Sequence, residues 1–364
     1  MMLAVTMRGA LERKYGAKNY EQIRTAIEEF GNAAGTQTLA LDDAEEMKGV
    51  GAGTSLGPSS GAILSALRQF TGGGGGASSV LLIGGNEIIP FWVITNPVTD
   101  RSIDADTQIL SDNPYGSNAD SWGQYVAPSI PVGRLTDFPR GTAQDFLDLL
   151  ATATTNRKNR PSRSRSTVVV NAEWVEYSKS AATALPGPVD WYLAPGYRMN
   201  AATGDDTDRE CLYFNLHGFS GQAAWKGYDQ VRSEFVTAVT PDAFVRENVS
   251  GTVVFAENCY GAQTVGRTPD NSCALRLVRE GAAIIGATGI AYGAHLTPDF
   301  VLDDADQLAK NFWTECSGGQ TIGAALSHAR AQYLGGEDAV GLNPYKKKTL
   351  LQFVLLGDLG WTLN

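Results

Sequence analysis

Short apolar segments alternate along the chain with longer segments in which apolar residues recur at helical spacing. The short segments are Thr38–Asp43, Ser79–Gly85, Ile130–Leu135, Ser166–Trp174, Cys211–Gly218, Thr252–Cys259, Ala282–Gly289 and Leu350–Asp358. Most of them are continuously apolar rather than alternating, which is typical of parallel strands that are covered on both faces. Helical spacing is found between them, for instance in residues 20–33, 59–70, 141–154, 271–281 and 321–334. This alternation predicts an open α/β sheet with right-handed crossovers, in which a ligand binds beyond the carboxyl ends of the strands.

The composition is that of an ordinary globular protein long enough for two subdomains. Of the 364 residues, 43% are hydrophobic and 19% are charged. A basic segment that contains Pro and Ser, "NRKNRPSRSRS" at residues 156–166, interrupts the alternation near the middle. We therefore predict an N-terminal α/β subdomain over residues 1–160 and a second subdomain over residues 161–364.

Charge and cysteine content exclude several classes of function. The net charge of −10 is unfavourable for a surface that binds nucleic acid or an anionic membrane. The four cysteines form no CxxC pair and there are only three histidines, so we expect neither a structural zinc site nor a disulfide scaffold. No segment approaches the roughly 18 apolar residues of a membrane helix, and the first residues lack the features of a signal peptide. We expect a soluble protein of a reducing compartment, the cytoplasm, with no nucleic-acid or membrane partner.

Two of the predicted strands end on reactive side chains. His217 and Cys259 each follow an apolar strand, and the 42 residues between them leave room for one crossover. Adjacent parallel strands would bring the two side chains to the same edge of the sheet. This pairing predicts a Cys259 nucleophile, with His217 as general base and then general acid. The amides of Gly218 and Cys259 are the predicted oxyanion hole, because glycine allows a carbonyl group to approach the backbone closely.

The same two strands carry a family resemblance. "NLHGF" (215–219), followed by "VVFAENCYGA" (253–262), resembles the clan CD cysteine peptidases, which include caspases, metacaspases, legumain, clostripain and gingipains. Further segments resemble the gingipain-like branch in order and spacing: "SVLLIGGNEIIP" (79–90), "LSDNPYG" (110–116), "PSIPVGRL" (128–135) and "LLQFVLLGDLG" (350–360). The resemblance covers nearly the whole chain. It implies a caspase-like three-layer αβα sandwich with a mostly parallel sheet and two subdomains, and cysteine endopeptidase activity that needs no cofactor.

The resemblance also assigns substrate-binding residues. Glu257 stands two positions before the nucleophile, where clan members place a residue of the pocket that holds the side chain before the scissile bond (P1). A carboxylate there favours Arg or Lys, although legumain has Glu at this position and prefers Asn. Glu173 is the first choice for a second acid, with Glu176 and Asp190 as alternatives, and Tyr292 is expected in the pocket wall. Some relatives bind calcium, for which the acidic segment Leu302–Gln307 is a candidate, but its spacing favours the start of a helix.

These residues together predict an intracellular regulatory protease that cleaves a protein substrate after a basic residue. By family analogy the substrate is a partner such as a gasdermin-like pore-forming effector in antiviral defence. The alternatives are a catalytically inactive peptide-binding module and a thiol acyltransferase or ligase with the same dyad. The arginines of residues 157–166 offer a site for self-cleavage, although a charged connector is the preferred interpretation.

Overall fold

The computed structural model describes residues 1–55, 57–71, 76–118, 120–293 and 305–363. The strands in these ranges are β1 Met2–Thr6, β2 Gln37–Ala40, β3 Ser79–Ile83, β4 Trp92–Thr95, β5 Gln108–Ser111, β6 Val132–Leu135, β7 Ser166–Asn171, β8 Val189–Ala194, β9 Cys211–Asn215, β10 Trp225–Asp229, β11 Glu234–Val239, β12 Val253–Ala256, β13 Ala283–Ala287 and β14 Phe353–Leu356. The α-helices are α1 Arg8–Tyr15, α2 Ala17–Ala34, α3 Ala44–Gly49, α4 Ser60–Thr71, α5 Trp122–Val126, α6 Ala143–Lys158, α7 Val175–Ala182, α8 Arg246–Val249, α9 Cys273–Arg279, α10 Ala305–Ser317, α11 Ile322–Leu334 and α12 Pro344–Gln352.

Ten strands form one central sheet in the order β2-β1-β3-β6-β14-β13-β12-β9-β7-β8. All neighbours in it are parallel except β13 and β14, which are antiparallel. Helices cover the sheet, and strands such as β3, β9, β12 and β13 are buried along their whole length. The predicted mostly parallel α/β sandwich is confirmed.

Each of the eight apolar segments contains or overlaps a strand of this sheet, whereas β1 and β8 were not predicted. β8 lies at the sheet edge, and its sequence "VDWYLA" leaves Trp191 and Leu193 partly exposed, so it lacks the continuous apolar pattern of a covered strand. Two separate hairpins, β4–β5 and β10–β11, were also not predicted, because their strands are partly exposed and lack a continuous apolar pattern.

The two halves of the chain share the sheet through β14. This last strand pairs parallel with β6 of the first half and antiparallel with β13 of the second. The strands of the two halves therefore run in opposite directions, and the carboxyl ends of β7, β9, β12 and β13 meet at one edge. The boundary placed between residues 160 and 161 lies in the connector between α6 and β7.

The connector is held by its arginines. Arg160 donates hydrogen bonds to Glu210 Oε1 (2.5 Å), Gly251 O (2.7 Å) and Thr362 O (2.7 Å). Arg163 pairs with Asp208 and donates to Ser250 O at 2.8 Å. These contacts support the connector interpretation over a loop that is open to cleavage.

Three of the segments that carried the family resemblance meet in a buried cluster of the first half. Arg134 on β6 pairs bidentately with Asp112 (2.9 and 2.6 Å) and donates to Gly84 O and Ile89 O. Paired, fully hydrogen-bonded charges of this kind fix the geometry of a buried turn. These motifs are therefore structural. Within the described ranges no helix is both long enough and apolar enough to cross a bilayer.

Candidate active site

His217 and Cys259 lie at the same edge of the sheet because their strands are neighbours in register. β9 and β12 pair so that Phe214 is opposite Ala256, and each reactive residue follows three positions later. Both side chains line a cavity of about 250 Å³. The other described residues that line it are Ile103, Trp174, Tyr177, Asn215, Leu216, Glu257, Ile290, Ala291, Tyr292, Gly293 and Asp306.

A tight turn presents Cys259 to the cavity. Tyr260 has a left-handed backbone (φ 55°), which is costly for a residue with a side chain and is held here by specific contacts. Its amide donates to Gly289 O (2.7 Å) and its hydroxyl donates to Asp106 Oδ1 (2.7 Å). The Cys259 thiol donates to Ala291 O at 3.5 Å, and burial raises the pKa of this thiol. The Cys259 side chain therefore rests as a thiol, which needs a base before it can act as a nucleophile.

His217 is held between aromatic rings. Its ring lies 4.3 Å from Trp174 and 4.8 Å from Phe235, centroid to centroid. Burial lowers the pKa of His217 to about 4, while the negative charge of Glu173 acts in the opposite direction. The ring is neutral at physiological pH and can accept a proton. Its Nε2 is buried and has no hydrogen-bond partner among the described residues, which leaves Nδ1 as the nitrogen that can exchange a proton with a substrate.

Gly218 packs directly against the backbone of Cys259. A Cβ atom at position 218 would lie 1.7 Å from Cys259 O, so a side chain does not fit there. Within the part of the chain that the structure describes, neither the Gly218 amide nor the Cys259 amide donates a hydrogen bond to another residue; the Cys259 amide interacts only with its own thiol. Both donors are thus available to a substrate oxygen, as an oxyanion hole requires.

Two carboxylates form the polar end of the cavity. Glu257 and Asp306 are only 5% and 7% exposed, and both accept from the hydroxyl of Tyr213, at 2.6 and 3.2 Å. Asn215 donates to Asp306 at 3.0 Å. Sequence reasoning placed Asp306 only within the acidic segment 302–307. Its position at the start of α10 gave no signal that it reaches the cavity.

The remaining predicted site residues have different positions. Tyr292 lines the cavity and donates its hydroxyl to Asp104. Glu173 is not among the described residues that line the cavity; its carboxylate accepts from Gln230 on the β10–β11 hairpin. Glu176 pairs with Lys179 in solvent, and Asp190 pairs with Arg165 and Arg209.

The calcium candidate is described only in part. Residues 302–304 lie outside the described ranges, and the described residues contain no group of three or more His, Cys, Asp or Glu that could hold a metal ion. The other three cysteines, Cys211, Cys273 and Cys316, are buried away from the cavity.

A buried ion cluster supports the part of the cavity wall that residues 290–293 form. Lys348 of α12, with no side-chain exposure, donates to Asp104 Oδ2 (2.6 Å) and Asp106 Oδ2 (2.9 Å). Asp106 in turn accepts from the amide of Ile290 (2.7 Å), and Gln352 of α12 donates to Ile290 O (3.0 Å). Helix α12 thereby fixes the wall segment 289–293, whose Ala291 accepts from the Cys259 thiol.

Comparison with solved structures identifies the fold. The chain aligns over its full length with 78% of "the Arg specific cysteine proteinase gingipain R (RGPB)", at 14% identity and a TM-score of 0.68. It aligns with 80% of the complex of Porphyromonas gingivalis RgpB pro- and mature domains, at 13% identity and a TM-score of 0.66, and with a third structure described as a protease, at 14% and 0.62. No protein-family model and no curated protein sequence matches the chain. The resemblance to the gingipain-like branch of clan CD is confirmed at the level of the fold.

Proposed function

We propose that this chain, which has the gingipain-type caspase-like fold, is a cysteine endopeptidase that cleaves its substrate after a basic residue. The observation that carries the proposal is one cavity lined by a thiol, a neutral imidazole and two buried carboxylates. Its neighbours in fold include an Arg-specific cysteine proteinase, which agrees with this assignment.

The geometry supports acyl transfer in two steps. His217 takes the proton of Cys259, and Sγ attacks the scissile carbonyl carbon while the amides of Gly218 and Cys259 stabilise the oxyanion. The C–N bond then breaks, and the imidazolium gives its proton to the leaving amine. Water, activated by the same imidazole, hydrolyses the thioester and returns the thiol. The reaction requires no metal or organic cofactor. The acidic segment at residues 302–307 remains a candidate for calcium.

The polar end of the cavity supports the preference for a basic P1 residue. A guanidinium ion presents several N–H donors in a plane, and two acceptor carboxylates can engage more than one of them. A lysine ammonium group is a compact charge without this planar set of donors and matches the two carboxylates less well. We therefore propose that Arg is preferred over Lys. Glu257 and Asp306 are the proposed recognition residues, and Tyr292 shapes the wall.

The biological role that we propose is regulatory cleavage of one partner protein in the cytoplasm. A gasdermin-like pore-forming effector in antiviral defence is the substrate class suggested by analogy with caspase-like proteases. This part of the proposal rests on the resemblance of the sequence motifs. Recovery of a cleaved partner with a basic residue at its new C-terminus, from cells with wild type but not with Cys259→Ala, is the expected result.

The activity is tested with peptidyl coumarin amides that differ only in a P1 residue of Arg, Lys, Asn or Asp. Wild type should cleave the Arg substrate best, and Cys259→Ala and His217→Ala should lose at least 10³-fold in kcat/KM. Cys316→Ala, which changes a buried cysteine outside the cavity, is the control for the nucleophile. Preferential cleavage after Asp would contradict the role of the two carboxylates.

The same substrates separate the two alternatives. An inactive module would bind the Arg peptide without cleaving any substrate. An acyltransferase or ligase would form product only when an amine acceptor is added, because it excludes water from the acyl-enzyme. Hydrolysis without an added acceptor therefore supports the endopeptidase.

A further inference from the structure

Three aromatic rings lie beside His217 on the β10–β11 hairpin and the loop before it. We call Phe219, Tyr228 and Phe235 the hairpin aromatic cluster. The Phe235 ring lies 4.8 Å from the rings of both His217 and Phe219, and 5.1 Å from that of Tyr228. Phe235 is 45% exposed, and the other two rings are partly exposed. The cluster is therefore an accessible apolar surface in direct contact with the proton carrier.

The hairpin is fixed to the catalytic strands rather than attached only by its ends. His217 and Lys226 exchange two backbone hydrogen bonds of 2.8 Å. The amide of Tyr228 donates to Asn171 Oδ1 (2.9 Å) at the end of β7, and Gln230 donates to Glu173. These bonds hold the cluster in one position relative to His217, as a preorganised binding surface requires.

The cluster is distinct from the cavity. Trp174, which also contacts His217, lines the cavity, but none of the three cluster residues does. His217 thus lines the cavity and also contacts the hairpin aromatic cluster, and the two surfaces share none of the three cluster residues. In the proposed reaction the acyl half of the substrate, with its basic side chain, occupies the cavity next to Cys259.

The other half of the substrate must approach His217. When the C–N bond breaks, the imidazolium delivers its proton to the leaving nitrogen, which requires a hydrogen-bond distance between them. The side chain on that nitrogen's own residue (P1′) then lies within a few ångströms of the rings that contact His217. We propose that the hairpin aromatic cluster is the P1′ binding surface and that it selects aromatic or large aliphatic side chains. The proposal rests on the endopeptidase function proposed above.

Charge near the cluster sharpens the expected preference. The Lys226 ammonium lies 5.4 Å from the centre of the Phe219 ring, at the border of the cluster. A second cation at P1′ would be repelled there, whereas a Phe or Leu side chain would bury apolar surface against Phe235. A ring-to-ring contact of this kind is worth about a 3- to 10-fold change in kcat/KM.

The test measures how an acyl-enzyme divides between water and an added amine. An ethyl ester with Arg at P1 forms the acyl-enzyme without any P1′ residue. Phe-amide, Leu-amide, Gly-amide and Lys-amide are then added as acceptors, and the ratio of peptide product to acid product is measured. The measurement is made on wild type and on two variants of the cluster, Phe235→Ala and Phe219→Ala. The control is Val231→Ala, which removes an apolar side chain that is 96% exposed at the tip of the same hairpin.

The expected result is that wild type and Val231→Ala favour Phe-amide and Leu-amide over Gly-amide by about 3- to 10-fold, with Lys-amide the poorest acceptor. Phe235→Ala should abolish this selectivity. If Phe235 only orients His217, its replacement changes the rates for all acceptors equally and keeps the selectivity, which overturns the proposal. Equal use of all acceptors by wild type also overturns it. Failure of wild type to cleave the ester at all would instead refute the proposed endopeptidase.

Discussion

The pKa of His217 is subject to two opposing influences: burial lowers it, and the negative charge of Glu173 raises it. Burial dominates and lowers the pKa of His217 to about 4, below the ordinary value near 6.5. Because the base must be neutral to accept the thiol proton, we expect kcat/KM to stay high down to about pH 5. Below pH 4 it should fall by about tenfold per pH unit. A pH profile with the Arg coumarin amide, with circular dichroism at each pH to show that the protein is folded, tests this.

Replacement of Glu173 by Gln tests the second influence on the pKa of His217, the negative charge of the carboxylate. The charge of Glu173 raises the pKa of His217, so its removal should lower that pKa further and move the acid limb of the profile to lower pH. The same charge stabilises the imidazolium formed during acylation, so kcat should also fall. An acid limb that moves to higher pH in Glu173→Gln would contradict the electrostatic role assigned to this residue. Glu176→Gln, a change in an exposed acid that pairs with Lys179 and is not among the described residues that line the cavity, is the control.

At Gly218 the absence of a side chain is a steric requirement. An added Cβ would lie 1.7 Å from Cys259 O, so one of the two backbones must move. We expect Gly218→Ala to lower kcat/KM by about 10² or more, since displacing one oxyanion donor has that effect in other acyl-transfer enzymes. Gly61→Ala, on the exposed side of α4 where an added Cβ would meet nothing within 4 Å, is the comparison for a glycine replacement without a clash. A Gly218→Ala enzyme with wild-type kcat/KM would exclude the proposed oxyanion hole.

Residues at the ends of covered strands were predictable, and residues delivered by other elements were not. His217 and Cys259 follow continuously apolar segments, so the pattern itself places them at the sheet edge. Asp306 reaches the cavity from the first turn of α10, and Lys348 reaches Asp104 and Asp106 from α12. Those positions depend on how the helices pack on the sheet, and the spacing of apolar residues within a helix does not predict that packing.

At the scale of elements, α12 supports the cavity wall through a buried charge. Replacing Lys348 by Met leaves Asp104 and Asp106 without their ammonium partner, and breaking a buried pair in this way costs about 3–5 kcal/mol. We expect urea unfolding to show a destabilisation of that size and kcat/KM to fall, because Asp106 also holds the Ile290 amide.

The control for Lys348→Met is Lys179→Met, which removes an exposed lysine paired with Glu176. Exposed pairs contribute at most about 1 kcal/mol, so this variant should keep nearly the full free energy of unfolding. Equal effects of the two replacements would show that the Lys348 cluster contributes no more than a surface pair.

The sequence predicted most strands of the sheet but not which strands are neighbours in it. Continuous apolar runs identified eight of its ten strands, whereas β1 and the edge strand β8 lack a distinctive pattern. The position of β14 between β6 and β13 was not foreseen, because pairing between the last strand and the middle of the sheet is a long-range contact. The β10–β11 hairpin, which places Phe235 against His217, was not predicted because its strands are partly exposed and mix polar with apolar residues.

At the scale of the whole molecule, the connector between the halves is tied to both the second half and the chain's last residues. Arg160 bonds to Glu210, to the backbone of Gly251 and to the backbone of Thr362. A protease must pull a segment of about ten residues into an extended form to cleave it, which these bonds oppose. We therefore expect wild type and Cys259→Ala to have the same chain length by mass spectrometry, without self-cleavage in residues 157–166.

Loosening the connector should make it cleavable. In Arg160→Ala three hydrogen bonds are lost, and Glu210, which is 2% exposed, loses its ion-pair partner. We expect limited trypsin digestion to cut this variant after Arg163 or Arg165 at least tenfold faster than wild type, because the opening free energy of the segment falls by more than about 1.4 kcal/mol. Arg24→Ala, which removes an exposed arginine on α2, is the control. Rapid cutting of wild type at the same bonds, or a shorter wild-type chain than that of Cys259→Ala, would mean that the connector opens freely and would favour self-cleavage over the connector interpretation.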